Sequence, residues 1–156
     1  MTTFIGEYVC KTDAKGRIVL PAAFKRKMPA GDPVVFVVKK DLYEPCLEMF
    51  TLSEWEVQNR MLLRNVNPYD PEHRQLIRDF RSGALEVELD AANRFLLPAR
   101  LLRAAQIDKE VVLVGHVGKI EIWSPGLYEN AGGDALSKSE RAIRIMKNAS
   151  YNPNEI

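Results

Sequence analysis

Two copies of one β-rich unit, each carrying a short helix, predict an α+β fold that is mainly β, with helices connecting the copies and another near the C-terminus. Three observations carry this reading. Asp13-Ala14-Lys15-Gly16-Arg17-Ile18-Val19-Leu20-Pro21-Ala22 returns as Asp90-Ala91-Ala92-Asn93-Arg94-Phe95-Leu96-Leu97-Pro98-Ala99, an offset of 77 positions. The same offset relates Val34-Val35-Phe36-Val37 to Val111-Val112-Leu113-Val114. Leu47-Glu48-Met49-Phe50-Thr51 then resembles Ile120-Glu121-Ile122-Trp123-Ser124 at an offset of 73, because residues 41–46 lengthen the first copy's turn. The expected organisation is a first unit over 4–56, connecting helices over 57–83, a second unit over 84–129, and a C-terminal helix with a polar tail over 130–156.

Each segment follows from local chemistry. Residues 4–12 have the content of a strand, with Ile5, Tyr8 and Val9 available to a core. Residues 17–20 read as a second strand. Between them, Asp13-Ala14-Lys15-Gly16 has turn chemistry, since Asp bonds backbone N–H groups two residues on and Gly accepts positive φ. A hairpin is therefore predicted here, and again where Asp90-Ala91-Ala92-Asn93 joins 85–89 to 94–97. Asn93 replaces Gly16, and Asn is the side-chain-bearing residue that best tolerates the left-handed region, so one backbone geometry serves both copies.

Pro21 and Pro98 suit a first helical turn, which predicts helices over 22–28, ending at Pro29, and over 99–105. Residues 34–38 and 111–114 read as core strands, with 47–50 and 120–123 as antiparallel partners. Ser53 as N-cap with Glu56 three residues on starts a helix whose apolar side holds Trp55, Leu62 and Leu63. Asn67-Pro68-Tyr69-Asp70-Pro71 breaks it. A further helix from Glu72 to about Ser82 places Leu76, Ile77 and Phe80 on one face, leaves His73, Arg74, Arg78 and Arg81 largely off it, and ends at Gly83. A closing helix is expected over 137–147, then a frayed polar tail over 148–156.

Composition narrows the function. Twenty-two basic against 21 acidic residues give a net charge of +1, so a basic binding surface must be built locally. Cys10 and Cys46 are too few for a disulfide scaffold and lack a metal-ligand partner at short spacing, which suits a reducing cytosol; no metal or cofactor is expected. Met1-Thr2-Thr3-Phe4 has no secretion-signal character, and the apolar runs near Val34 and Val111 fall short of the roughly 20 residues that cross a bilayer. A soluble cytoplasmic protein without a membrane partner is expected.

Catalysis on a small-molecule substrate is not expected. His73 and His116 are the only histidines, and neither has a partner at a recognised ligand spacing. Glu86 and Glu88 alternate along one strand as solvent-facing carboxylates do, and there is neither a G-x-x-x-x-G-K phosphate loop nor a G-x-S-x-G elbow.

Asp13 with Arg17, and Asp90 with Arg94, stand four positions apart across a turn and can pair to fix it. An exposed pair contributes little to stability. A guanidinium has a second capability: its planar fork takes a phosphate or the O6/N7 edge of guanine, and a two-stranded ribbon is narrow enough for a major groove. The residues thus divide into orienting positions, Asp13, Gly16, Asp90 and Asn93, and DNA-contacting positions, Arg17 and Arg94, with Lys15 beside the first. Lys25, Arg26 and Lys27 in one copy, and Arg100 and Arg103 in the other, add cations a short helix away. Taken singly each is an ordinary solvated residue, but their recurrence beside both turns favours a built surface. No aromatic sits among them, which favours duplex over single-stranded DNA. One unit neutralises few phosphates, and repetition supplies the missing avidity. The second reading is a non-catalytic assembly or adaptor protein, from the near-zero net charge and apolar helices able to pack between chains.

Phe4-Ile5-Gly6-Glu7-Tyr8 ahead of the Asp13 to Pro21 motif, with the second Asp-x-x-x-Arg at Asp90 and Arg94, closely resembles the bacterial MraZ family, whose members contain two AbrB-like units. The similarity spans roughly residues 4–130 and includes Tyr43-Glu44-Pro45-Cys46-Leu47, the Ser53-Glu54-Trp55 helix start and Val112-Leu113-Val114-Gly115. Asn93 stands where the family usually has Gly, and Ala92 is the counterpart of Lys15, so the first copy is expected to contribute more. The resemblance implies a double-split β-barrel-like fold and a homo-oligomeric ring. It also implies association with the nucleoid and binding to short direct repeats in double-stranded promoter DNA, as a regulator, in our reading a repressor, of the division and cell-wall gene cluster.

Overall fold

Every strand pairing in the computed structural model is antiparallel, and the residues described are 2–29 and 34–147. The tail expected over 148–156 lies outside them. In chain order the first copy contains β1 (Glu7–Lys11), β2 (Arg17–Val19), α1 (Ala22–Lys25), β3 (Val35–Lys40) and β4 (Leu47–Thr51). The connecting helices are α2 (Leu52–Arg64) and α3 (Pro71–Arg81). The second copy contains β5 (Leu85–Glu88), β6 (Arg94–Leu96), α4 (Ala99–Ala104), β7 (Glu110–Gly115) and β8 (Lys119–Trp123), before α5 (Pro125–Asn130) and α6 (Ala135–Met146). The fold is mixed α+β and mainly sheet, and both copies run through the same sequence of elements.

Six strands form one sheet in the order β1-β7-β8-β4-β3-β5, and β2 and β6 form a separate two-stranded ribbon. Exchanging the two copies reverses the sheet order onto itself, so a pseudo-twofold runs between β4 and β8, where Glu48 faces Glu121. The expected hairpins across the Asp turns are not formed. β1 pairs with β7, from Glu7↔Val114 to Lys11↔Glu110, and β5 pairs with β3. Each copy pairs its first strand with the third strand of the other copy.

Burial explains the exchange. Pairing β2 with β6 sets Ile18 opposite Phe95, both fully buried, and brings them into one core with Phe24, Leu97, Phe36, Leu47, Leu113 and Ile122. A local hairpin would keep each motif's apolar residue within its own half. Burying a Phe or Ile side chain is worth about 1.5–3 kcal/mol, more than a turn's own preference. Of the residues expected in the core here, Ile5 and Val9 are exposed; Cys10 packs against the core from β1, and the fully covered residue of the segment is Phe4, whose ring meets Phe24 edge-on at 5.6 Å. Tyr8 also packs edge-on against Phe24, at 5.1 Å.

The helix caps place the connecting segments. The cap of α2 lies two residues before the expected Ser53: Thr51 Oγ1 accepts from Glu54 N–H at 3.2 Å, while the Glu54 carboxylate accepts from Gln58 Nε2 rather than reaching back to close a capping box. Thr51 is available because β4 ends there, with Thr51 N–H donating to Gly118 O. Asp70 caps α3 through Glu72 N–H, with Pro71 in the first turn. Phe80 of α3 stacks on Trp55 of α2 at 5.7 Å, and Trp55 meets Phe50 of β4. α1 stops at Lys25, shorter than expected, and turns follow to Met28.

A boundary after Pro125 separates a second compact unit. Within that unit Asp134 caps α6 through Ser137 N–H at 2.8 Å, starting the helix two residues before the expected position. Among the described residues no helix is long and apolar enough to cross a membrane.

Candidate nucleic-acid interface

The two Asp turns are built from the same hydrogen bonds. In the first copy, Asp13 Oδ1 accepts from the N–H groups of Lys15 and Arg17, both at 2.9 Å, and Asp13 Oδ2 accepts from Arg17 Nε at 2.6 Å. Gly16 N–H closes the turn onto Asp13 O. In the second copy, Asp90 Oδ1 accepts from the N–H groups of Ala92 and Arg94, Oδ2 accepts from Arg94 Nε at 2.8 Å, and Asn93 N–H donates to Asp90 O. The fourth turn residue is left-handed in both, Gly16 at φ 87° and Asn93 at φ 58°. Both carboxyls are held below the ordinary Asp value, chiefly by the arginine N–H donated to them.

The turns are also clasped to one another. Leu97 N–H donates to Gly16 O and Leu20 N–H to Asn93 O, extending the ribbon ladder at both ends. Within the ladder Arg17 stands opposite Leu96 and Val19 opposite Arg94. Alternation then puts Ile18 and Phe95 inward and leaves Arg17, Val19, Arg94 and Leu96 on the outer face. Each arginine uses only Nε on its aspartate, and the terminal nitrogens make no hydrogen bond among the described residues. The result is two guanidinium forks, pre-oriented by carboxylates, projecting from one narrow ribbon.

The flanking cations are distributed by the strand exchange. Lys15, on the exposed first turn, shares an open groove with Arg103 of α4, a residue of the other copy. Leu102 of α4 also reaches that turn, lying 3.3 Å from where a side chain on Gly16 would begin. The groove is further lined by Lys11 and Lys109, which sequence reasoning did not single out, because only the β1–β7 pairing brings residues 11 and 109 together. Arg100 is tied back through Nη2 to Gly83 O at 3.1 Å. Arg26 and Lys27, just past α1, are exposed, and Lys25 is half-buried.

A second polar feature lies on the other face of the sheet. Lys39, 1% exposed, pairs with Glu48 at 3.3 Å, and His116 pairs with Glu121 at 3.0 Å; these are the same repeat positions in the two copies. Lys119 also contacts Glu48 at 2.9 Å, and the Lys39 ammonium lies 4.4 Å from the centre of the Phe80 ring. Burial, with Asp41 as a neighbour, pushes the Glu48 carboxyl up, and Glu48 in turn raises Lys119. Asp41, Cys46 and Glu121 converge here, but Asp41 already accepts from the N–H groups of Tyr43 and Glu44, and Glu121 from Trp123 Nε1. Burial holds the Cys46 thiol protonated. With both carboxylates already accepting turn and ring N–H groups and the thiol protonated, this is a structural network joining the copies.

Comparison with known proteins agrees with the duplicated architecture. A family model described as "MraZ protein, putative antitoxin-like" matches residues 3–78 and again 80–144. The chain is 43% identical over 145 residues to a "Transcriptional regulator MraZ" of Desulfitobacterium hafniense, covering 93% of this chain and 97% of the relative. A protein of the same name from Flavobacterium psychrophilum is 33% identical over 149 residues, 95% of this chain and 94% of the relative. Another, from Pseudomonas syringae pv. syringae, is 36% identical over 132 residues, 85% and 86% of the two chains.

Proposed function

The chain belongs to the MraZ family, and from that premise we propose that it is a sequence-specific transcriptional regulator that holds duplex DNA through the β2–β6 ribbon. The observation that carries this reading is the duplicated arginine geometry, with Arg17 and Arg94 on one outer face, each oriented through Nε and each presenting its remaining donors. A guanidinium held this way is organised before DNA arrives, so little side-chain freedom is lost on binding. Lys15, Arg103, Arg26 and Lys27 supply phosphate contacts around the ribbon, with Lys25 and Arg100 as lesser contributors because their side chains are already partly engaged or covered.

In this proposal the protein acts without catalysis, in the cytoplasm on the nucleoid, and represses a promoter of the division and cell-wall gene cluster. It works as a homo-oligomeric ring in which repeated ribbons meet short direct repeats. Charge supports the oligomer: at a net +1, a single copy neutralises too few phosphates for tight binding, and multivalency multiplies the ribbon's contribution.

Electrophoretic titration against the duplex upstream of the protein's own coding sequence, beside a scrambled duplex and across a salt series, tests the reading. Preferential binding that weakens with salt supports it. Binding to neither duplex moves the weight to a protein-only assembly role.

A further inference from the structure

The outer face of the ribbon is half apolar. Val19 is 55% exposed and Leu96 52% exposed, while their inward neighbours Ile18 and Phe95 are fully buried. A single exposed aliphatic carries no information. Here the two occupy the same repeat position, two residues after each arginine, and the ladder interleaves them with the guanidiniums. Leu96 stands directly opposite Arg17 and Val19 opposite Arg94, so each aliphatic lies within cross-strand contact range of a fork. The solvent face of a two-stranded ribbon is ordinarily polar, and Leu gains little from strand propensity.

A second copy of the same face is a poor occupant, because ribbon against ribbon would set four guanidiniums together. A duplex is a good one. Among base edges in the major groove only thymine presents an apolar group, its C5 methyl, beside the acceptors that an arginine fork takes on guanine.

We propose that Val19 and Leu96 are specificity-determining residues that contact thymine C5 methyl groups next to the bases gripped by Arg94 and Arg17. This rests on the DNA-binding reading above and deepens it. The arginines alone select guanine, and the interleaved aliphatics add thymine at neighbouring positions. Each contact removes about one methyl group from water on the DNA side, worth about fourfold in affinity.

The test removes the methyl groups and nothing else. The duplex upstream of the protein's own coding sequence is amplified with either thymidine or deoxyuridine triphosphate, and both products are titrated electrophoretically with wild type and with Val19→Ala/Leu96→Ala. Wild type is expected to bind the uracil duplex about fourfold or more weakly than the thymine duplex. The double variant is expected to bind the thymine duplex more weakly than wild type does, and to lose most of the thymine preference. Val19→Thr, close in shape and at home in a strand, serves if the alanine pair proves unstable, and is expected to show a smaller loss of the same kind.

Equal binding of both duplexes by wild type overturns the proposal while leaving the DNA reading intact. An unchanged thymine-to-uracil ratio in the folded variant does the same, and assigns the two residues to strand or subunit packing. If wild type does not prefer the upstream duplex to a scrambled one, the DNA-binding reading falls and the proposal falls with it.

Discussion

Arg17 and Arg94 stand on the same outer face of one antiparallel ladder, although 77 positions separate them in the chain. Each is locked through Nε to its own turn aspartate, and the two turns are joined by hydrogen bonds to the carbonyls of Gly16 and Asn93. A duplicated motif has become a single two-armed surface.

Truncating either arginine leaves the core untouched, since the inward residues are Ile18 and Phe95. Arg17→Ala and Arg94→Ala are each expected to weaken binding to the upstream duplex about 5- to 100-fold, the range of one lost bidentate contact, with an unchanged circular dichroism spectrum. Arg17→Ala is expected to cost more, because Lys15 and Arg103 adjoin its turn. Wild-type affinity in both variants would remove these side chains from the interface.

The aspartates are expected to matter through hydrogen-bond polarity. Asp13→Asn keeps an oxygen for the N–H groups of Lys15 and Arg17 but turns an amide donor toward Arg17 Nε, so the guanidinium is released. The folded protein should bind DNA more weakly and lose preference for the upstream duplex. An Asn variant with full preference would show that the fork needs no orientation.

The same carboxylates make stability pH-dependent. Their folded pKa values lie below the ordinary 3.8, so their contribution is complete above that value and disappears as pH falls through the lowered ones. The thermal midpoint of wild type should fall below about pH 4, and Asp13→Asn/Asp90→Asn should show a shallower fall. Parallel curves for the two proteins would contradict this.

Gly16 and Asn93 are expected to respond oppositely to substitution. A side chain on Gly16 would start 2.6 Å from Leu97 O with φ at 87°, so Gly16→Ala should destabilise by about 1–3 kcal/mol in urea unfolding. Asn93→Gly relieves a left-handed residue and should be neutral or mildly stabilising. Equal effects at the two sites would mean that the turns are not alike.

The turns were legible because they are local: an Asp, a left-handed fourth residue and an Arg define them without reference to the rest of the chain. The strand partners were not. Nothing between Lys11 and Arg17 says that β1 will lie on β7, since an identical turn chemistry serves a hairpin or a change of sheet; the choice is made by Ile18 and Phe95 sharing one core. For the same reason the sequence assigns Arg103 to a short helix but not to the other copy's turn, and gives no sign that Lys11 and Lys109 meet beside it. The buried Lys39–Glu48 pair was hidden by its charges, yet alignment of the repeats places Lys39 over His116 and Glu48 over Glu121, a signal that was present.

The most direct test of the ribbon as a DNA-reading surface is the ratio of upstream to scrambled duplex affinity in Arg17→Lys/Arg94→Lys, measured by fluorescence anisotropy at one salt concentration. Lysine keeps the charge and removes the fork. The account predicts retained salt-sensitive binding with the preference reduced by about tenfold or more, while the thermal midpoint stays near that of wild type. An intact preference in the lysine variant would contradict it and place sequence recognition elsewhere on the molecule.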